Sequence, residues 1–238
     1  ANNLQPITSP IAIVKDEVVG DTHEGKRFVF FGTGAYFRTG DPADTAEQTW
    51  YGIIDENTSI SNRSTLKARS FAVSSGTFGV PPVPVRAFNA AVTGDMVGKK
   101  GWFLDFTIPA GERMVTESVY FKLARPALIG SSIIPSAGDP CTPGGKGYIN
   151  VISPFSGGAM PVGILDVNDN NNFTDDLISD FFIGSVDLGV GMPSRPTLIG
   201  NQLVVGGTEP TKPIASIRIN TGISALKGRI SWREIVGD

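Results

Sequence analysis

The chain has 238 residues, of which 40% are hydrophobic, enough to bury a substantial core in one large domain or two small ones and too apolar for a disordered linker. Its 20 Lys and Arg against 23 Asp and Glu leave a net charge of -3 with no clustered basic stretch, which excludes the electrostatic footprint of a nucleic-acid binder. No apolar run reaches the roughly 18 residues that a membrane-spanning helix needs, so no membrane span is expected.

Glycine at 29 and proline at 17, without a collagen period, call for frequent turns and many short strands. The β-branched and aromatic runs, in chain order, are 27–37, 49–55, 65–73, 100–107, 113–123, 147–152, 181–190, 197–205, 215–220 and 228–236, each bounded by turn residues. The segments 74–84 and 134–146, dense in Gly, Pro and Ser, read as loops, and Pro42 to Gln48 reads as a short helical stretch without an apolar stripe. The expected fold class is all-β, a sandwich, barrel or irregular propeller with long loops, in a single domain over 1–238.

One loop carries metal-binding chemistry. Asp166, Asn168 and Asn170 place side-chain oxygens at the first, third and fifth positions of an EF-hand-like loop, the spacing that presents them to one hard cation. Asn171 stands where such a loop turns through a left-handed conformation, which Asn tolerates best after Gly. The reading continues with Asn172 supplying its carbonyl, Thr174 beside it, and Asp175 or Asp176 closing the shell, because Leu177 replaces the usual twelfth-position Glu. Phe173 would pin the loop to the core, and Asp169 would face solvent. The expected ion is Ca2+, held with an affinity on the order of micromolar to millimolar because the ligand charge is low. The competing reading is an Asn/Asp-rich turn that binds nothing.

Catalytic patterns are weak throughout. His23 lies in a polar, acidic stretch and reads as a solvated loop histidine without a nucleophile or metal partner. Cys141 is the single cysteine, so it can form no intrachain disulfide, and a four-ligand zinc site is out of reach. Gly144-Gly145-Lys146-Gly147 lacks the spacing of a phosphate loop, and Gly32-Thr33-Gly34 lacks the third glycine of a dinucleotide fingerprint and reads as a strand bend. Asp41, Asp44 and Glu47 share a loop, which says nothing of the separation that glycosidase carboxylates require. Trp50, Tyr51, Trp102 and Trp232 sit in apolar strand runs and read as core rather than as a carbohydrate platform.

Several segments, in order, resemble the C-terminal propeller domain of the PilY/PilC-type pilus tip proteins. They are Gln5-Pro6-Ile7-Thr8-Ser9, Phe31-Gly32-Thr33-Gly34-Ala35-Tyr36-Phe37, Gln48-Thr49-Trp50-Tyr51-Gly52-Ile53-Ile54-Asp55, Gly101-Trp102-Phe103-Leu104-Asp105, and Gly111-Glu112-Arg113-Met114-Val115. Asp139-Pro140-Cys141 with Gly144-Gly145, the Asp166 loop, and the ending Gly228-Arg229-Ile230-Ser231-Trp232-Arg233-Glu234 complete the set.

The resemblance implies a modified, incomplete β-propeller whose N-terminal blades and adhesive region lie outside this sequence. It also implies a non-enzymatic exported protein at the pilus tip, on the cell surface, that supports type IV pilus assembly, retraction control, twitching motility and attachment. Its implied partners are minor pilins, a host or abiotic surface, and the N-terminal region of the same protein. The alternative is a secreted, calcium-stabilised propeller that acts on or binds carbohydrate.

Overall fold

The computed structural model describes residues 5–137 and 144–222. The strands of the first half are β1 (Ala12–Lys15), β2 (Arg27–Gly32), β3 (Gln48–Ile54), β4 (Lys67–Arg69), β5 (Phe71–Phe78), β6 (Val83–Phe88) and β7 (Gly101–Phe106). Then come β8 (Val119–Phe121), β9 (Ala127–Pro135), β10 (Gly145–Ile152), β11 (Leu165–Asp166), β12 (Leu177–Ile178) and β13 (Phe181–Phe182). The last are β14 (Ser185–Val186), β15 (Thr197–Ile199), β16 (Gln202–Gly206) and β17 (Ile214–Ile219). Helix among the described residues is confined to single 3-10 turns at Asp41–Ala43 and Arg63–Thr65, so the fold class is all-β.

The strands form a five-stranded sheet in the order β1-β2-β3-β7-β4, a six-stranded sheet β5-β6-β14-β10-β9-β8, a four-stranded sheet β11-β17-β16-β15, and the ribbon β12-β13. All pairs are antiparallel except β4 with β7.

The six-stranded sheet separates two cores. Because successive side chains of a strand point to opposite faces, Ala127, Ile129, Ile149 and Val151 enter an aliphatic core with Leu165, Val186, Leu203, Val205 and Ile219. Leu128 and Ile152 turn the other way, into an aromatic core with Phe28, Phe30, Trp50, Phe88, Trp102 and Phe106. Trp50 meets Trp102 edge to face, their ring centres 5.9 Å apart, the geometry that the ring quadrupoles favour. Gly52 makes room for this packing, since a Cβ there would lie 2.4 Å from the Trp102 ring.

Several sequence expectations change. The segment 74–84 is a hairpin in which β5 and β6 pair, and the strands of 134–146 run to Pro135 and resume at Gly145. The helical stretch 42–48 is one 3-10 turn followed by β3, because Gln48 and Thr49 pair with Phe106 and Asp105. Within 113–123 only Val119–Phe121 is strand, with Arg113 bridging to Ile133. The Gly32-Thr33-Gly34 bend is a close-packing device, since Cβ atoms at Gly32 and Gly34 would meet the side chains of Met114 at 2.2 Å and Arg113 at 2.4 Å. Cys141, Trp232, the closing Ser231 to Glu234 motif and the strand 228–236 lie outside the described residues.

Candidate functional site: the Asp166 loop

Ile164 and Leu165, 3% and 0% exposed, anchor the start of the loop in the aliphatic core. β11 then pairs with β17, which puts Asp166 opposite Arg218. The chain turns out of the strand through left-handed residues Asp169 (φ 56°) and Asn171 (φ 63°), the conformation that Asn and Asp adopt most readily after Gly. A chain of local bonds fixes the turn. Asn168 Oδ1 accepts from the Asn170 N–H (3.2 Å), Asn170 Oδ1 from Asn172 (2.7 Å), and Asn172 Oδ1 from both the N–H and the hydroxyl of Thr174 (3.2 and 2.8 Å). Each is the two-residue reach that makes Asn a turn former.

Two buried carboxylates hold the loop together. Asp166 accepts from the N–H groups of Asn170 (3.0 Å) and Asn171 (2.9 Å). Asp176 Oδ1 accepts from Val167 (2.8 Å) and Asn168 (3.4 Å), whereas Asp176 Oδ2 is buried without a hydrogen-bond partner. Burial pushes the Asp176 carboxyl up to about 6; the charges of Asp166 and Asp175 add to this, and the two N–H groups oppose it. Asp175 is exposed and accepts from Asn170 Nδ2 at 2.7 Å. Phe173 is half-buried, and its carbonyl presses so closely on Gly163 that a Cβ there would sit 1.7 Å away.

These bonds bring Asp166, Asn168, Asn170, Asp175 and Asp176 into one frame; Asn172 joins it through its N–H on Asn170 Oδ1, and its own side-chain oxygen accepts from the exposed Thr174. Among the described residues no group of three or more His, Cys, Asp or Glu is placed to hold a metal, so any ion here depends on amide and main-chain oxygens beside the carboxylates. Such an all-oxygen set suits Ca2+ or another hard cation, and the open oxygen of Asp176 is a donor that the protein leaves unused.

Sequence reasoning missed Arg218, 52 residues away. Its Nη1 lies 2.6 Å from Asp166 Oδ2 and its Nη2 3.1 Å from Asp169 Oδ1. Asp169 is indeed solvent-facing, with a side chain 82% exposed, but it is ion-paired.

The other candidates are tied down structurally. His23 is buried rather than solvated, with Nε2 3.1 Å from the Met96 carbonyl and its ring edge-on to Phe28. Asp41 accepts from the N–H groups of Phe37 and Arg38, and Asp44 from Ala46, so both carboxylates serve as turn caps. Trp50 and Trp102 are fully buried, but Tyr51 is half-buried on the outer face, where it stacks on Phe31. The Arg63 guanidinium covers that face, 3.8 Å from the Phe103 ring centre and 5.7 Å from that of Tyr51.

No family model and no solved structure matches the chain. Among curated proteins it is similar to a type IV pilus biogenesis factor PilY1 homolog of Xylella fastidiosa, 29% identical over 221 residues and 89% of this chain. A second protein of the same name from that organism is 25% identical over 220 residues and 88% of the chain. The chain spans 17% and 13% of the length of these two relatives. No helix among the described residues is long and apolar enough to cross a membrane. The match over nearly the whole length bears out the resemblance read from the ordered motifs: the chain is similar to one part of the PilY1-type proteins.

Proposed function

We propose that this domain serves type IV pilus biogenesis as one part of a longer exported protein at the pilus tip, and that it works through its surfaces rather than through catalysis. The observation that carries this reading is the match over 88–89% of the chain to two proteins named as pilus biogenesis factors. The capping roles of Asp41 and Asp44 and the enclosure of His23 give each of these side chains a structural task, which supports a role without catalysis. The Arg63 cover over Tyr51 and Phe103 weighs against an aromatic platform for sugars.

On this reading the sheets belong to an irregular propeller that further chain completes. The four adjacent antiparallel strands β1-β2-β3-β7 support it. Partners would be minor pilins, the N-terminal region of the same protein and the host or abiotic surface to which the cell attaches; control of retraction and twitching would follow from those contacts.

The Asp166 loop, in this proposal, is a calcium staple. Asp166, Asn168, Asn170, Asn172, Thr174, Asp175 and Asp176 would supply its oxygens, and the unpartnered Asp176 Oδ2 is the feature that supports it.

Deleting this domain from the full-length parent protein is expected to abolish surface pili counted by electron microscopy, with the truncated protein still exported. Unchanged piliation and unchanged twitching zones would remove the domain from biogenesis. Calcium titrated into the chelator-treated domain should release binding heat that Asp166→Ala abolishes; heat that survives in the variant would place any ion elsewhere.

A further inference from the structure

We infer that Arg218 is the resident counter-cation of the Asp166 loop: its guanidinium neutralises the loop when calcium is scarce and is displaced when the ion binds. The inference rests on the calcium reading above and adds a regulatory element to it.

Asp166 has a side chain that is 0% exposed, so its charge requires a compensating group at all times. The backbone N–H groups of Asn170 and Asn171 supply part of this. The full positive charge comes from Arg218, fixed opposite Asp166 by the β11-β17 register. Its second nitrogen holds Asp169, so one fork closes across the first turn of the loop. No other residue of that turn is cationic, and Asn occupies 168, 170, 171 and 172.

A calcium ion ligated by Asp166 would lie within a few ångströms of that guanidinium. Two cations cannot share one carboxylate in a partly buried site without strong repulsion. The geometry provides an exit. A cleft of about 320 Å³, lined by Asp166, Asp169, Gln202, Ser216 and Arg218 itself, opens beside the pair. Arg218 can rotate into this space while β17 keeps its pairing with β16. The exchange is non-covalent: one guanidinium-carboxylate pair is lost and one calcium-carboxylate contact is made.

The consequence is a loop that stays folded without metal and responds to calcium only above a threshold set by Arg218. Calorimetric titration of calcium into the chelator-treated chain tests this with the wild type, Arg218→Gln and Arg218→Lys, with thermal unfolding recorded alongside. Removing the competing charge should tighten calcium binding by about tenfold or more, lower the metal-free melting temperature, and enlarge the rise that calcium produces. Lys should restore most of the wild-type affinity.

Affinity that is unchanged or weaker in Arg218→Gln, with calcium heat present in the wild type, would overturn the exchange and leave Arg218 as a strut for Asp166. An absence of heat in all three proteins would overturn the calcium reading itself. If Arg218→Gln folds only in millimolar calcium, the ion has replaced the missing charge as inferred; failure to fold at any calcium concentration would sink the inference.

Discussion

Two acidic centres of this molecule solve the same problem differently. Glu112 and Arg86 are both fully buried and joined by two bonds, at 2.7 and 2.8 Å. Ser132 donates to Glu112, Asn150 accepts from Arg86 and Ser185, and the guanidinium lies over the rings of Tyr148 and Phe71 at 3.7 and 4.5 Å. Arg86, Ser185, Asn150 and Gly130 stand in one row across β6, β14, β10 and β9. The Asp166 loop, in contrast, leaves Asp176 Oδ2 without a partner and borrows one guanidinium that is 23% exposed. A carboxylate answered wholly from inside serves the fold, whereas the Asp166 loop keeps one buried carboxylate oxygen unanswered beside a guanidinium that reaches solvent.

The largest effect should come from breaking the sealed centre. Glu112→Ala would strand the Arg86 charge in the core and cost about 3–5 kcal/mol in chemical denaturation, with no rescue by calcium. A rescue would show that the two centres are coupled.

Asp16 sharpens the comparison as a third case, a buried carboxylate whose Oδ2 also lacks a partner. Burial raises its pKa to about 6; the Val18 N–H opposes this, and Asp21 and Glu24 add to it. Folding therefore favours the protonated form. The stabilisation from proton uptake is complete below about pH 4 and is lost as pH rises through about 6. Asp16→Asn should thus stabilise the domain by at most about 3 kcal/mol at pH 8 and hardly at all at pH 4. Melting curves at the two pH values check the sign, and an equal gain at both would assign the effect to something other than ionisation.

A smaller effect is expected at the loop. Calcium at about one hundred times its dissociation constant should add about 2.7 kcal/mol to the wild type. It should add little to Gly163→Ala, whose new methyl would displace the Phe173 carbonyl; an equal calcium increment in both proteins would separate the ion from the loop's packing. The smallest effect belongs to the exposed Lys122 and Glu17 pair, 2.6 Å apart. Lys122→Ala should leave the melting temperature unchanged at physiological salt, because solvent already screens that charge.

The strands that could be read in advance were those with one clear apolar face or a bounded β-branched run, such as β2, β3, β7, β16 and β17. β9 escaped because both its faces are buried, which removes the alternation, and because Gly130-Ser131-Ser132 in its middle looks like a turn. There Gly130 admits the Met114 methyl, Ser131 donates to the Ser194 carbonyl, and Ser132 serves Glu112. The loop from Asp166 was legible because its oxygens repeat at a fixed local spacing. Arg218 was not, because nothing in Ile214–Ile219 marks the partner of its one arginine.

The amino-acid order alone determined the all-β class, the turn that begins at Asp166 and the likeness to the PilY1-type proteins, because each depends on local dihedral preference or on residues in succession. Only the tertiary structure decided which side of the six-stranded sheet each strand residue faces. It also decided that Arg86 meets Glu112 in the core, that His23 lies under Met96, and that Arg218 closes on Asp166. Those pairings join residues 26, 73 and 52 positions apart. They depend on strand register and on burial, which are properties of the assembled sheets rather than of any one segment.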